Sequence, residues 1–192
     1  LLFPRLQGAL WGLPQDAHAG LAGLSDEMHP GSIHELSLSE EVAFRAYFHG
    51  APPAPAQRYW RALVFWTTDG QRWARGADPR DNFDYEAQGE PLSYSLTLEP
   101  SNKPWLPALD LPARAPAGAR MRSGFVLEAN NPVRERLSFE MTAHPRYRIH
   151  SLSAGARRAA LRQPESTSGR VQALARRWRA AARDDAEVID AV

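Results

Sequence analysis

From Glu40 to Ala156 the sequence keeps a two-residue hydrophobic period in short runs, and proline or glycine interrupts the runs. No helical period is sustained there, so the span can bury its apolar residues only as strands with one face inward. In "EVAFRAYFHG" Val42, Phe44, Ala46 and Phe48 alternate with Ala43, Arg45, Tyr47 and His49. The following "APPAPA" holds three prolines that cannot donate to a sheet ladder and is expected to be a loop. An aromatic and β-branched run from Tyr59 to Thr67 reaches Asp69-Gly70, a dipeptide suited to the positive-φ positions of a hairpin, with Gln71–Ala74 as its return strand. "LSYSLTLEP", "ARMRSGFVLEA", "RERLSFEMTA" and "RYRIHSLSA" supply further strands. Seven or eight strands with short connections predict a mainly β fold, an antiparallel β-sandwich.

The flanks differ in texture. Residues 1–32 scatter Gly8, Gly12, Pro14, Gly20, Gly23, Pro30 and Gly31 without a period and read as an irregular lead-in. Past residue 156, Val171, Leu174, Ala175 and Trp178 recur at the spacing of an amphipathic helix, with Ser168 as its N-cap and Asp184 or Asp185 capping a second helix. The expected division is therefore 1–32, a β domain over 33–156, and a helical extension over 157–192. The chain opens without Met on Leu1, Leu2 and Phe3 and closes on "EVIDAV". Both ends are expected to be cuts from a longer protein.

Composition removes several classes of chemistry. With no cysteine there is no thiol nucleophile, disulfide or thiolate metal site in the chain. A net charge of +1 gives no reason to expect nucleic acid. Twenty-two of the 23 basic residues are Arg, Lys103 being the one lysine, a skew that fits codon bias in a GC-rich genome better than a binding adaptation. "GLSDEMHPGSIHEL" gathers His29, His34, Asp26, Glu27 and Glu35 and could suggest a metal-dependent hydrolase. Pro30-Gly31 between the histidines breaks any continuous helix, and a metal site wants three or four converging ligands, so a polar turn leading into the first strand is the preferred reading. There is no G-x-S-x-G elbow, no glycine-rich phosphate loop, and Glu40-Glu41 is an adjacent pair of the solvated kind. No catalytic residue, cofactor or metal is expected.

The tryptophans are the remaining candidates. Trp60, Trp66 and Trp73 cluster around the hairpin, and Trp105 sits in "NKPWLPALDLP". Exposed, they would stack on sugars and make the chain a glycan- or protein-binding module. Trp60 and Trp66 share one strand parity, which favours core packing instead.

"GLSDEMHPGSIHELSLSEEVAFRAYFHGAPPAPAQRYWRALVFWTTDGQRW" resembles the extracytoplasmic region of the TgpA family of bacterial membrane-anchored transglutaminases. The resemblance rests on Gly23-Leu24-Ser25-Asp26, Met28, Pro30-Gly31, Ile33, Leu36, Ser39, Glu41-Val42-Ala43-Phe44-Arg45, Tyr59-Trp60-Arg61, Asp69-Gly70 and Trp73. It continues through Leu98-Glu99-Pro100, Trp105-Leu106 and Ala108-Leu109-Asp110, and "RVQALARRWRA" is similar to the helix leading toward the family's catalytic core. His34, Glu40 and Ala62 stand where the family more often has Ser, Asp and Gly, and "PESTSGR" lacks its usual Asn-Pro-Arg.

The resemblance implies membrane spans before Leu1, a β-rich region on the periplasmic face of the bacterial inner membrane, and a papain-like Cys-His-Asp core beyond Val192. A non-catalytic accessory domain of a protein-glutamine gamma-glutamyltransferase follows, one that packs on or positions the catalytic module or recognises its substrate. Its partners would be that core and the membrane helices of the same polypeptide, with a periplasmic protein or cell-wall substrate besides. Trp60, Trp66, Trp73 and Trp105 are then candidates for interdomain contact as well as for a ligand.

Overall fold

The computed structural model describes residues 25–29, 42–79 and 84–191. The expected lead-in up to Leu24, with Trp11, and the turn carrying His34 lie outside the described residues. The fold is mainly β and antiparallel, with helices at the C-terminal end.

Its spine is a four-stranded sheet in the order β10 (Leu111–Pro112), β13 (Leu137–His144), β7 (Leu92–Leu98), β2 (Phe44–Phe48). Strand period dictates its two faces. Tyr94, Leu96, Leu98, Met141 and Ala143 are buried, while Ser95, Thr97, Ser138 and Glu140 form the outer face, where the Thr97 and Ser138 hydroxyls stand 2.9 Å apart. Against the inner face lies a second layer. It consists of β3 (Trp60–Arg61) paired with β9 (Ala108–Leu109), and of β11 (Ala119–Arg122), β12 (Val126–Ala129) and β8 (Trp105–Leu106). Leu106, Ala108, Leu109, Leu127 and Ala129 close the core from that side. Smaller pairings complete the chain: β1 (Glu27–Met28), β5 (Trp73–Ala74) and β4 (Thr67–Thr68) form one sheet, and β6 (Asp84–Ala87) pairs with β14 (Tyr147–Ser151).

Tyr94 ties the layers. Its phenol accepts the Leu109 N–H at 2.9 Å, and burial pushes its ionisation up to about 12, so it remains a neutral hydroxyl. Tyr94→Phe would leave that buried N–H without an acceptor. The expected cost is about 1–3 kcal/mol, read as a lower thermal midpoint with an unchanged far-ultraviolet spectrum.

Several local details depart from the sequence reading. The run Tyr59–Thr67 is not one strand: β3 pairs with β9 and β4 with β5, so residues 62–66 cross between two sheets. The hairpin at Asp69-Gly70 forms with a four-residue connection, since Thr68 faces Trp73. Gly70 takes φ 97°, and the Asp69 carboxylate accepts the N–H groups of Gln71 and Arg72 at 2.9 and 2.7 Å. "ARMRSGFVLEA" is a hairpin rather than one strand, because Gly124 (φ 76°) and Phe125 (φ 59°) reverse the chain and set Arg122 opposite Val126. The expected irregular lead-in contributes β1, which pairs with β5.

Three helices follow: α1 (Ala154–Ala160), α2 (Gly169–Ala181) and α3 (Asp185–Asp190). The boundary expected after residue 156 thus falls inside α1, an Ala-rich helix whose Ser153 cap accepts the Ala156 N–H at 3.1 Å. Ser168 and Asp184 cap α2 and α3 as expected, accepting the N–H groups of Val171 and Glu187. No residue of α2 is buried, and Val171, on its apolar stripe, is 57% exposed.

Candidate functional site

Register in the second layer concentrates charge at one place. Arg120 on β11, Glu128 on β12 and Trp105 on β8 stand directly opposite one another across three neighbouring strands. Glu128 is 8% exposed and its carboxylate is saturated. Arg122 Nε and Arg120 Nη2 each donate at 2.7 Å and Arg75 Nη2 at 3.1 Å. Burial pushes the Glu128 carboxyl up, but the hydrogen bonds and charges of Arg122 and Arg120 outweigh it and hold the group at about 2. The Arg75 guanidinium also lies 4.3 Å from the centre of the Trp105 ring, a cation–π stack.

From Trp105 the network reaches the motif "SDEM". Trp105 Nε1 donates to Asp26 Oδ1 at 2.8 Å, and Lys103 Nζ, the one lysine of the chain, donates to Asp26 Oδ2 at 2.7 Å. Partial burial raises the Asp26 carboxyl, yet these two bonds and the Lys103 and Arg75 charges leave it below the usual carboxylate range. Ser25 Oγ accepts the Glu27 N–H, and Arg72 reaches the Glu27 carboxylate at 3.2 Å. The acidic signature is therefore a clasp that fastens residues 25–28 to β5 and β8. Asp26→Ala would strand the buried indole N–H, with an expected loss of about 1–2 kcal/mol, discounted for the half-exposed ion pair. Thermal unfolding of that variant should show a fall of roughly 2–8 °C.

A second cluster fixes the loop corner. Arg61 Nη1 donates to the Gly124 carbonyl at 2.6 Å and Nη2 reaches Asp110 Oδ1 at 3.4 Å, where the Tyr147 hydroxyl also donates at 3.0 Å. Burial first, then the Asp110 charge, raise the Tyr147 phenol. Both left-handed non-glycine residues here, Asp110 (φ 40°) and Phe125 (φ 59°), are held by this contact set, with Phe125 edge-on to Tyr85 and Tyr147. In both clusters each carboxylate faces cations or donors already engaged with it. The arrangement suits fastening strands together.

The four tryptophans do not share a face. Trp60 packs against Phe44 (centroids 4.9 Å apart), Tyr94 (5.6 Å) and Phe48 (6.5 Å), and Trp105 is 3% exposed with its indole N–H engaged. Trp66 and Trp73 line a cavity of about 400 Å³ between the β4–β5 hairpin and the segment from Ala159 to Thr167. That segment is fastened by the Ser166 hydroxyl, which donates to the Asp69 carbonyl. His29 is exposed, and among the described residues no three His, Asp or Glu stand together as metal ligands. The cluster residues Arg75, Lys103, Arg120, Arg122 and Glu128 were not anticipated from sequence. The readable signal was an acid inside the apolar run "FVLEA" with two arginines spaced for one strand face.

The comparisons agree with this architecture. Residues 1–150 match the model of the TgpA N-terminal domain. Over 178 residues the chain is 39% identical to a protein-glutamine gamma-glutamyltransferase of Pseudomonas aeruginosa, covering 91% of this chain and 26% of that protein. Crystal structures of the periplasmic domain of TgpA from Pseudomonas aeruginosa, one of them bound to ethylmercury, superpose with a TM-score of 0.82 at 35% identity. The match covers 88% of this chain and 60% of those chains. By that match over residues 1–150 and that identity, the chain belongs to the TgpA N-terminal domain family.

Proposed function

We propose that the chain is a non-catalytic accessory domain of a transglutaminase-like protein at the periplasmic face of a bacterial inner membrane, where it positions the catalytic module or presents substrate to it. The observation that carries this reading is the match over 91% of the chain to about a quarter (26%) of a glutamyltransferase, by a chain that contains no cysteine. Acyl transfer from glutamine through a thiolate-bound enzyme intermediate needs an activated cysteine, and the chain has none. The uncovered α2 adds a surface on the side where the chain leaves the β layers. No helix among the described residues is long and apolar enough to cross a membrane, so anchoring would come from elsewhere in the polypeptide.

The test is amine incorporation into a glutamine-bearing protein by this chain and by a longer polypeptide extended through the next domain. Incorporation only by the longer protein is expected; turnover by the 192-residue chain would overturn the reading. A second reading, a glycan- or protein-binding module, draws on the cavity beside Trp66 and on Trp73, which is 41% exposed. Quenching of tryptophan emission by soluble peptidoglycan fragments, lost in Trp73→Ala, would favour it.

A further inference from the structure

Among the described residues the four-stranded sheet is open along part of β13. β10 covers only its C-terminal end, with Leu111 opposite His144 and Pro112 opposite Ala143, and the Ala113 N–H donating to the Thr142 carbonyl at 2.8 Å. That last bond sets the parity. The backbone groups of Thr142, Glu140 and Ser138 point away from β7, which takes those of the intervening residues. The covering chain then leaves: Pro112 and Pro116 have no N–H to extend a ladder, and the Ala119 N–H turns back to the Pro116 carbonyl. No strand among the described residues pairs with Ser138 and Glu140 on that side.

The space left is a cavity of about 630 Å³. One wall is the continuous run 137–142 and the other is the loop 114–118. An unpaired strand edge beside such a groove demands an extended backbone, since no other common ligand satisfies alternating N–H and C=O groups at strand spacing. The lining also specifies side chains. Leu106, Ala129, Phe139 and Met141 are apolar. Of the two charges, the Glu140 carboxylate already accepts from Ser95 and pairs with His49 at 3.2 Å, whereas Arg114 is exposed and enters no ion pair among the described residues.

We propose that the open edge of β13 is a strand-addition site for an extended segment of a partner protein, with apolar and acidic residues alternating, the acids meeting Arg114. This goes beyond the accessory-domain reading and does not depend on it. The probe is the peptide acetyl-Val-Asp-Val-Asp-Val-amide, titrated into the ¹⁵N-labelled 192-residue chain. The Ser138 and Glu140 amide signals should shift and saturate. Of two peptides methylated on alternate backbone nitrogens, one should lose about tenfold or more in affinity and the other little, because only one parity faces the edge. Arg114→Glu should weaken binding by about tenfold. Ala117→Trp, at an exposed loop position, should block the groove at an unchanged thermal midpoint; were that variant misfolded, Arg114→Glu decides. Shifts that do not saturate, that miss Ser138 and Glu140, or that ignore N-methylation would overturn the proposal. So would concentration-dependent shifts of the same amides without peptide, which would make a second copy the occupant.

Discussion

Glu128→Gln should lower the thermal midpoint by roughly 6–12 °C near neutral pH, at about 2–4 °C per kcal/mol for a chain of this size. The native carboxyl sits at about 2 against an ordinary 4.5, a difference equivalent to about 3 kcal/mol. The side chain is only 10% exposed, so solvent does little to screen it. Deleting its charge also leaves Arg75, Arg120 and Arg122 facing one another. The sign of the pH dependence follows from the depressed value. The carboxylate's contribution is complete above about pH 5 and is lost as pH falls from 4.5 through about 2. Wild type and variant should therefore converge as unfolding is measured at successively lower pH down to about 2. A gap between them that stays constant over that range would assign the effect to packing and refute the electrostatic account.

Trp60→Ala should cost about 3–5 kcal/mol, because the indole is wedged between three aromatic rings and its removal leaves a void at the junction of the two layers. Trp73→Ala should cost under about 1 kcal/mol, since that ring sits largely at the surface. Chemical denaturation of the two variants separates the roles. If Trp60→Ala unfolds at the wild-type denaturant concentration, the ring is not part of the core. If Trp73→Ala is the more damaging of the two, the hairpin carries more of the fold than its exposure implies.

Much of the fold was legible because period and turn chemistry are local. The alternation in "LSYSLTL" is the buried face of β7, and Ser168 and Asp184 cap their helices as the pattern requires. What stayed hidden was set by long-range register. Asp26 reaches Trp105 across 79 positions, and nothing in "SDEM" names its donor. Arg75 and Glu128 meet across 53 positions for the same reason. Local reading also failed where the backbone reverses direction: Gly124 and Phe125 turn an apparent strand into a hairpin through positive φ, which a hydrophobic pattern does not encode. β6 escaped because the alternation in "DYEA" runs for four residues only and covers just Tyr85 in part; its place is set by pairing with Tyr147 to Ser151.

The bare flank of α2 sets how quickly its amide protons should trade with solvent. A 13-residue helix with no buried side chain draws its persistence from its own propensity and its Ser168 cap, and helices of about 12–15 residues are marginal alone in water. Deuterium should therefore enter Gly169–Ala181 of the isolated chain orders of magnitude sooner than it enters β7 or β13. In a longer polypeptide that covers Val171, Leu174 and Trp178, the same amides should slow toward the rates of the strands. Equal exchange in both would mean that the helix stands clear of its neighbours; slowing would make it a clock for the docking of the next domain.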